Sequence, residues 1–420
     1  MSAGVRTLTV DRQTIKISAV KAHQASAGEL FTDETSALNP ADRPLSGLSV
    51  VEWSDDIGAQ WCGRLLALLG ADVVTVDVRS HSAWTALAEP RLSTGTSALW
   101  QFLNVDKRAL RVDDAAGNKV AEAVASADVF VTDQPLAVQR AAGLEPARLV
   151  ARLSHLVGVA LSTFGSSGWL AMQPACDLTG SAAAGIAWGI GSPGQEPLTL
   201  PHSQCSYQLG LHGATAALAA VAWRERSGCG QVVDVSLHDV IASYVATLVP
   251  LYDFYGVRYV RAGHRPPGSL GRYPAVLLPC RDGLYCLVAR NGREWKGLMT
   301  VLGEPAWAEN PRYRDPVSMG TKYPDEVDAL VVPDLLTRTK AELFDACSQL
   351  GVPSMPVRDV AELVDDPQFG ARGFFLDYSD LDDRAEVRFP GLPFLLSAFP
   401  GTGRNRPSAP RFEASTTRDR

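Results

Sequence analysis

Asp177 is the residue of this 420-residue sequence whose surroundings favour chemistry most. It follows Pro174, Ala175 and Cys176 and opens a run of small residues that ends at Gly185. Small side chains leave room for a bulky ligand to approach a carboxylate. An aspartate before a helix is more often an N-cap that accepts main-chain N–H bonds. Local sequence alone favours the capping role, so the rest of the chain has to decide.

Other chemical motifs are weaker. Residues 189–194 match G-x-G-x-x-G, but Pro193 prevents a helix from starting there, so the match is predicted to be accidental. His202 and Cys205 could form a thiol–imidazole pair, although a buried structural cysteine is commoner. The seven cysteines form no C-x-x-C pair. We therefore predict no metal site.

Composition and charge exclude several classes of protein. The net charge of −7 argues against a nucleic-acid partner, which would need a basic face. The longest apolar run, residues 209–223, is too short to span a bilayer. No secretory signal opens the chain, and its cysteine usage fits a reducing compartment. These features predict a soluble cytoplasmic protein without a membrane partner.

The elements that must position Asp177 alternate between strand and helix. Residues 1–44 read as an extension with a small hairpin at 6–20. Apolar strands are predicted at 48–53, 72–78, 129–131 and 156–161, and helices at 61–69, 119–126 and 209–226. This alternation predicts an α/β fold with a Rossmann-like parallel sheet covered on both faces. Asp282-Gly283 predicts a hairpin turn between two further strands.

Several ordered segments resemble the class III CoA-transferase family, which includes formyl-CoA transferase, carnitine CoA-transferases and α-methylacyl-CoA racemase. Leu69-Gly70-Ala71-Asp72-Val73 is similar to the family's "LGADV" turn, and residues 104–108 to its "NxxKRS" segment. Residues 228–237 are similar to "GxGQxVDVSL", and residues 351–374 to its C-terminal run. The resemblance covers nearly the whole chain, from about residue 44 to residue 400.

The resemblance implies a large Rossmann-like domain with a parallel sheet built from both chain ends, and a smaller inserted α+β domain. The expected divisions are an extension at 1–44, the large domain at 45–225, a linker and small domain at 226–350, and a return to the large domain at 351–420. It also implies an interlocked homodimer in which each chain threads the other. A hetero-oligomer with a paralogue is the alternative assembly.

The resemblance places Asp177 at the family's catalytic aspartate. It implies a CoA-transferase that moves CoA from an acyl-CoA to a free carboxylic acid through an aspartyl-CoA intermediate. Coenzyme A, as part of the substrate, is the expected cofactor, with no metal. The residues expected to bind it are Ile57, Gly58, Arg79, Lys107, Arg108, Asp133 and Arg140.

Two other functions stay open at this point. The racemase branch of the family typically shows "GHD" where this chain has Ala175-Cys176-Asp177, which weakens but does not remove a racemase or epimerase. A non-catalytic partner subunit with a vestigial CoA site is the third hypothesis. It rests on departures from the family pattern: Asp55-Asp56 follow the first strand, and Ser206 stands where the family tends to have Asp.

Overall fold

A parallel sheet forms the centre of the fold. The computed structural model describes residues 43–78, 89–93, 95–113, 118–246, 248–265, 272–378, 387–402 and, for the main chain, 411–412. The predicted hairpin at residues 6–20 lies outside this part of the chain. The strands of the main sheet are β1 Ser49–Trp53, β2 Asp72–Val78, β3 Arg108–Val112, β4 Val129–Thr132, β5 Val157–Ser162 and β6 Val232–Ser236.

The strand order within the described residues is β3-β2-β1-β4-β5-β6, with every neighbouring pair parallel. This is the order of a doubly wound Rossmann sheet, which confirms the predicted α/β class with a parallel sheet. The order reverses between β1 and β4, where Trp53 pairs with Thr132. Ligands of open α/β sheets bind outside the carboxyl ends of the strands at such a switch point.

Helices cover both faces of the sheet. The helices of this part of the chain are α1 Ile57–Leu68, α2 Ala98–Asn104, α3 Asn118–Ser126, α4 Leu136–Ala142, α5 Pro146–Arg152, α6 Asp177–Ala183, α7 Ile186–Gly189, α8 Gln204–Ser227, α9 Leu237–Tyr244 and α10 Leu248–Tyr255. Alternate strand residues face two apolar cores: Val50 packs in the core with α1 and α8, whereas Val51 packs in the core with α3 and α5. Strands buried on both faces explain the valine-rich runs of the sequence.

A second core lies in residues 273–352 and packs around a three-stranded antiparallel sheet. Its strands are β7 Ala275–Cys280, β8 Gly283–Val288 and β9 Ser354–Pro356. The Asp282-Gly283 turn joins β7 to β8, as predicted. Its helices are α11 Gly292–Val301, α12 Pro316–Lys322, α13 Pro324–Leu335 and α14 Lys340–Gln349, with 3-10 turns at Ala306–Glu309 and Pro311–Tyr313.

The boundaries of the small domain, at 226 and 350, stay predictions, and strand pairing continues past both positions. Strand β6 belongs to the main sheet and α9 packs in the main core, so the large unit continues beyond residue 225. Strand β9 pairs with β8, so the small unit extends beyond residue 350. In both places strand pairing, which local composition does not show, sets the division.

The C-terminal segment returns to the main sheet. It contains α15 Val360–Val364, α16 Pro367–Ala371, the antiparallel pair β10 Phe375–Asp377 and β11 Arg388–Pro390, and β12 Arg411–Phe412. The main chain of β12 pairs parallel with β3 and adds a seventh strand at that edge. Both ends of the described chain therefore contribute strands to one sheet.

Residues 189–194 do not form a dinucleotide-binding turn. The short helix α7 precedes them, where the fingerprint needs a strand. Gly191 and Gly194 have φ values of +121° and +72°, so the segment is a turn that needs glycine. Arg261 donates hydrogen bonds to the carbonyl oxygens of Trp188 and Gln195, at 3.1 and 2.7 Å, and fastens this turn.

Candidate active site

Asp133 ties together the carboxyl ends of the two central strands. Its carboxylate accepts the main-chain N–H groups of Asp55 at 3.0 Å and Asp56 at 2.9 Å. The Gln134 amide in turn donates to Asp55 Oδ2 at 2.8 Å. The loop after β1 is thus held to the loop after β4, at the switch point of the sheet.

Two carboxylates at this edge have perturbed acidity. Burial raises the pKa of Asp133 well above its usual range, and the neighbouring charge of Asp56 adds to the rise. The pKa of Asp56 is raised by burial first, and then by the charges of Asp177 and Asp55. Like charges disfavour ionisation of their neighbours. The edge is therefore an acidic environment that favours protonation of these groups.

Asp177 is the first residue of α6, and its carboxylate serves another helix. Asp177 Oδ2 accepts the main-chain N–H of Ser206, in the first turn of α8, at 2.7 Å. The N-cap of α6 is Cys176, whose N–H is accepted by Thr179 Oγ1 at 2.9 Å. The capping role expected from local sequence is real, but the capped helix is α8. The positive end of this 24-residue helix faces the carboxylate.

Glycines bring α8 against α1 and so place Ser206. A Cβ at Gly58 would lie 3.2 Å from Ser206 O and 3.1 Å from Leu209 Cδ2. A Cβ at Gly210 would lie only 2.3 Å from Gly58 O, a distance that real Cβ atoms do not adopt. The two helices therefore cross with their backbones in contact. This crossing places the first turn of α8 beside Asp56 and Asp177.

A cavity of about 470 Å³ lies at the switch point. The cavity wall includes Pro174 and Ala175, which lead into the Asp177 helix, and Leu209 from α8. Asp56, Gly58 and Asp133 contribute the wall nearest the central strands; Gln134, Leu136, Gln139, Glu145, Ser162, Phe164 and Met172 are among its other residues. A cavity of this size fits part of a cofactor-sized ligand.

The cavity brings together only some of the predicted CoA-binding residues. Gly58 and Asp133 line it. The Ile57 side chain is buried in an apolar cluster with Phe102. Arg140 is exposed on α4 and pairs with Glu145, a cavity residue, at 3.3 Å. Contacts from these residues to CoA stay predictions, and Arg79 lies outside the described residues.

Lys107 lies in the core, and its contact with CoA stays a prediction. Its ammonium lies 2.8 Å from Glu52 Oε2, and neither side chain has exposed surface. It also donates to the Gln60 carbonyl oxygen at 2.8 Å. Burial lowers the pKa of Lys107, although the charge of Glu52 opposes that effect. A cation enclosed beneath α1 holds the sheet to the helix.

Arg108 lies apart from the cavity, and its contact with CoA also stays a prediction. It begins β3 and pairs with Asp72, the first residue of β2, at 2.6 Å. Both residues therefore lie at the amino ends of parallel strands, opposite the edge that carries Asp56 and Asp133. The resemblance to the family carried Arg108 into the expected CoA site, but local sequence does not show which end of a strand a residue occupies.

Sequence reasoning missed the roles of Asp56 and Ser206. Asp56 caps α1 through a 2.7 Å bond from the Ile57 N–H and faces Asp177. Its position between a strand and a helix was a usable signal. Ser206 acts through its main chain, and no side-chain pattern could have indicated that.

The site and the sheet define an α/β protein with a carboxylate beside a cavity at the switch point. A solved structure with the same architecture is a CAIB/BAIF family protein from Brucella suis, with a TM-score of 0.76 and 26% identity over 85% of this chain and 93% of that chain. The model of CoA-transferase family III matches residues 45–416. The chain belongs to this family.

Its curated relatives are named as CoA-transferases. A succinate–glutarate CoA-transferase of Agrobacterium fabrum is 26% identical over 85% of this chain and 90% of its own length. A subunit of the succinyl-CoA:(R)-benzylsuccinate CoA-transferase of Thauera aromatica is 28% identical over 86% of this chain and 90% of its own. Among the described residues, no helix is long and apolar enough to cross a membrane.

Proposed function

We propose that this chain transfers CoA between an acyl-CoA and a free carboxylic acid, with Asp177 as the nucleophile. The observation that carries the proposal is the Asp177 carboxylate, held by the Ser206 N–H at 2.7 Å, two residues along the chain from Ala175 of the cavity wall. Family membership supports the CoA substrate. The substrates of the named relatives make succinyl-CoA and glutarate the first pair to try.

The chemistry proceeds in balanced steps. One Asp177 oxygen attacks the acyl carbon, CoA thiolate leaves, and a mixed anhydride forms. The thiolate then attacks the Asp177 carbonyl carbon and expels the donor acid, which leaves an aspartyl-CoA thioester. The acceptor carboxylate attacks the same carbon and releases the thiolate, which finally attacks the acceptor acyl carbon and frees Asp177. Holding the carboxylate in one orientation is what makes a weak nucleophile effective.

Covalent trapping tests this function. Incubation with succinyl-CoA followed by hydroxylamine should convert Asp177 to a hydroxamate, identified by mass spectrometry of its peptide. Asp177→Asn should abolish trapping and transfer to glutarate. Asp315→Asn is the matched control, because Asp315 caps α12 in the second unit and Asn caps equally well. Transfer activity without modification of Asp177 would refute the covalent route.

We also propose that the chain forms the interlocked homodimer that its resemblance to the family implies. The supporting observation is an unpartnered apolar helix: α10 buries none of its residues, and Phe254 and Tyr255 are 82% and 77% exposed. Large exposed apolar surfaces mark protein contacts. A hetero-oligomer fits the same surface, and one curated relative is named as a beta subunit.

Sedimentation of the chain expressed alone separates these assemblies. The homodimer predicts twice the chain mass, and Phe254→Asp should lower that mass or prevent folding. Val360→Asp, at an equally exposed apolar residue of α15, should leave the dimer intact. Interlocking further predicts that tagged and untagged dimers exchange no subunits until they are unfolded. A monomer would contradict the homodimer.

A further inference from the structure

The two carboxylate oxygens of Asp177 are not equivalent. Oδ2 accepts the Ser206 N–H at 2.7 Å. The Ser206 amide lies in the first turn of α8, where N–H groups have no partner within the helix. A charge-assisted bond of this length holds one oxygen in place. Within the described residues, Oδ1 accepts no hydrogen bond.

We propose that Oδ1 is the attacking oxygen and that the Ser206 main-chain N–H is the oxyanion donor for every step at the Asp177 carbonyl carbon. This inference rests on the proposed function. When the thiolate or the acceptor attacks that carbon, negative charge develops on Oδ2, the oxygen already bound to Ser206 N–H. Donors within about 2.7–3.1 Å of the developing oxyanion are the ones that stabilise it. The positive end of α8 adds to that stabilisation.

The helix crossing keeps this donor rigid. Gly58 and Gly210 bring α1 and α8 into backbone contact, so the first turn of α8 cannot move towards α1. His202 and Ser203 precede α8 with φ values of +53° and +54°, a left-handed turn that sets the direction of the helix start. Such conformations are costly for residues other than glycine and persist only where the surrounding structure holds them.

The inference has an isotopic consequence. In each turnover the donor acid leaves with Oδ1, and an acceptor oxygen replaces it. Oδ2 never leaves, provided that its bond to Ser206 N–H prevents rotation of the carboxylate. After many turnovers with glutarate labelled with ¹⁸O at all carboxylate oxygens, the Asp177 peptide should therefore carry one ¹⁸O atom and not two.

The experiment uses the full chain, succinyl-CoA and an excess of labelled glutarate, with the Asp177 peptide and glutaryl-CoA both analysed by mass spectrometry. One ¹⁸O at Asp177 supports the inference. Two ¹⁸O atoms would show that the carboxylate rotates, which overturns the inference and leaves the proposed function standing. Labelled glutaryl-CoA without label in Asp177 would refute the covalent function itself.

A backbone change tests the donor directly. Replacing Ser206 by its α-hydroxy acid puts an ester in place of the amide and deletes only the N–H. We expect kcat to fall roughly 100- to 1,000-fold, as for loss of an oxyanion donor, with little change in KM. A second ¹⁸O should then enter Asp177. The same ester at Tyr207 removes an ordinary helix bond to Ser203 O and should leave kcat and the ¹⁸O count of Asp177 unchanged. Equal effects at the two positions would refute the Ser206 N–H as the oxyanion donor.

Discussion

The Lys107 ammonium lies 2.8 Å from the Glu52 carboxylate, and neither side chain is exposed to solvent. Ser54 and Thr75 hydroxyls also donate to Glu52, at 3.0 and 3.1 Å, so the pair belongs to a buried polar network. Removing one member leaves an uncompensated charge in the core, which costs about 3–5 kcal/mol. Lys107→Met should therefore lower the free energy of unfolding by that amount in urea titrations.

The same variant tests whether Lys107 contacts CoA. CoA affinity of folded Lys107→Met, measured by calorimetry, should equal that of the parent chain. Arg108→Ala is the comparison for the loss of stability. Its ion pair with Asp72 is half exposed, so removing it should lower the free energy of unfolding by at most about 1 kcal/mol. A loss of CoA affinity in Lys107→Met that Arg108→Ala does not show would support the predicted contact between Lys107 and CoA.

The backbone contact between α1 and α8 makes Gly210 intolerant of a side chain. In Gly210→Ala the new Cβ would meet Gly58 O at 2.3 Å, so the helices must separate. Overpacking of this kind costs about 1–3 kcal/mol, and the shift moves the Ser206 N–H away from Asp177. Thermal unfolding and transfer assays should show loss of stability together with reduced kcat.

Gly292 supplies the matched substitution. A Cβ there meets nothing within 4 Å, and the residue lies in the first turn of α11. Gly292→Ala should be neutral or stabilise the chain by up to about 1 kcal/mol. Equal losses in the two variants would show that the helix crossing is not the sensitive feature.

The acidic edge predicts that stability depends on pH. Because the folded-state pKa of Asp133 is raised, its stabilising contribution is present below the unfolded value of about 3.9 and is lost as pH rises through the folded value. Asp56→Asn removes a neighbouring negative charge and keeps the helix cap. At pH values above the folded-state pKa of Asp133, this variant should have a higher free energy of unfolding than the parent chain. The gain should be roughly 0.5–1 kcal/mol, the scale of a solvent-screened pair.

Urea midpoints at pH 5 and pH 8 measure this effect. The parent chain should lose more stability between the two values than Asp56→Asn does. Asp325→Asn changes an exposed carboxylate of the second unit. The stability that this variant loses between the two pH values should equal the loss in the parent chain. An unchanged difference in Asp56→Asn would argue against charge repulsion at the switch point.

Cys176 bears on the racemase alternative. The thiol is exposed, and hydrogen bonds from Thr179 lower its pKa. If Asp177 and Cys176 exchanged an α-proton, solvent deuterium would enter 2-methylacyl-CoA at its α-carbon. We expect no deuterium by NMR under conditions that give CoA transfer, and Cys176→Ser should keep transfer activity. Deuterium uptake that depends on Cys176 would favour the racemase.

The sequence predicted the elements whose signals are local. Asp72–Val78 is a strand with the predicted bounds, because its valine-rich run is a local signal and Val73 and Val76 are buried in the sheet. The start of α1 was missed by four residues, since Ile57, Gly58, Ala59 and Gln60 show no apolar periodicity. Asp177 was found by resemblance, whereas its hydrogen-bond partner was not. The partners of Lys107 and Asp177 are distant in sequence, so tertiary packing alone reveals them.

The pairing of β12 with β3 has a consequence during synthesis. Most of the chain separates Arg108 from Arg411, so the β3 edge stays open until the last segment has left the ribosome. An open strand edge is a template for pairing with another chain. Arg108 and Arg111 place charges along β3, and each forms an ion pair with an aspartate of β2. These arginines, of which Arg108 was expected to bind CoA, would thus protect the nascent chain from aggregation.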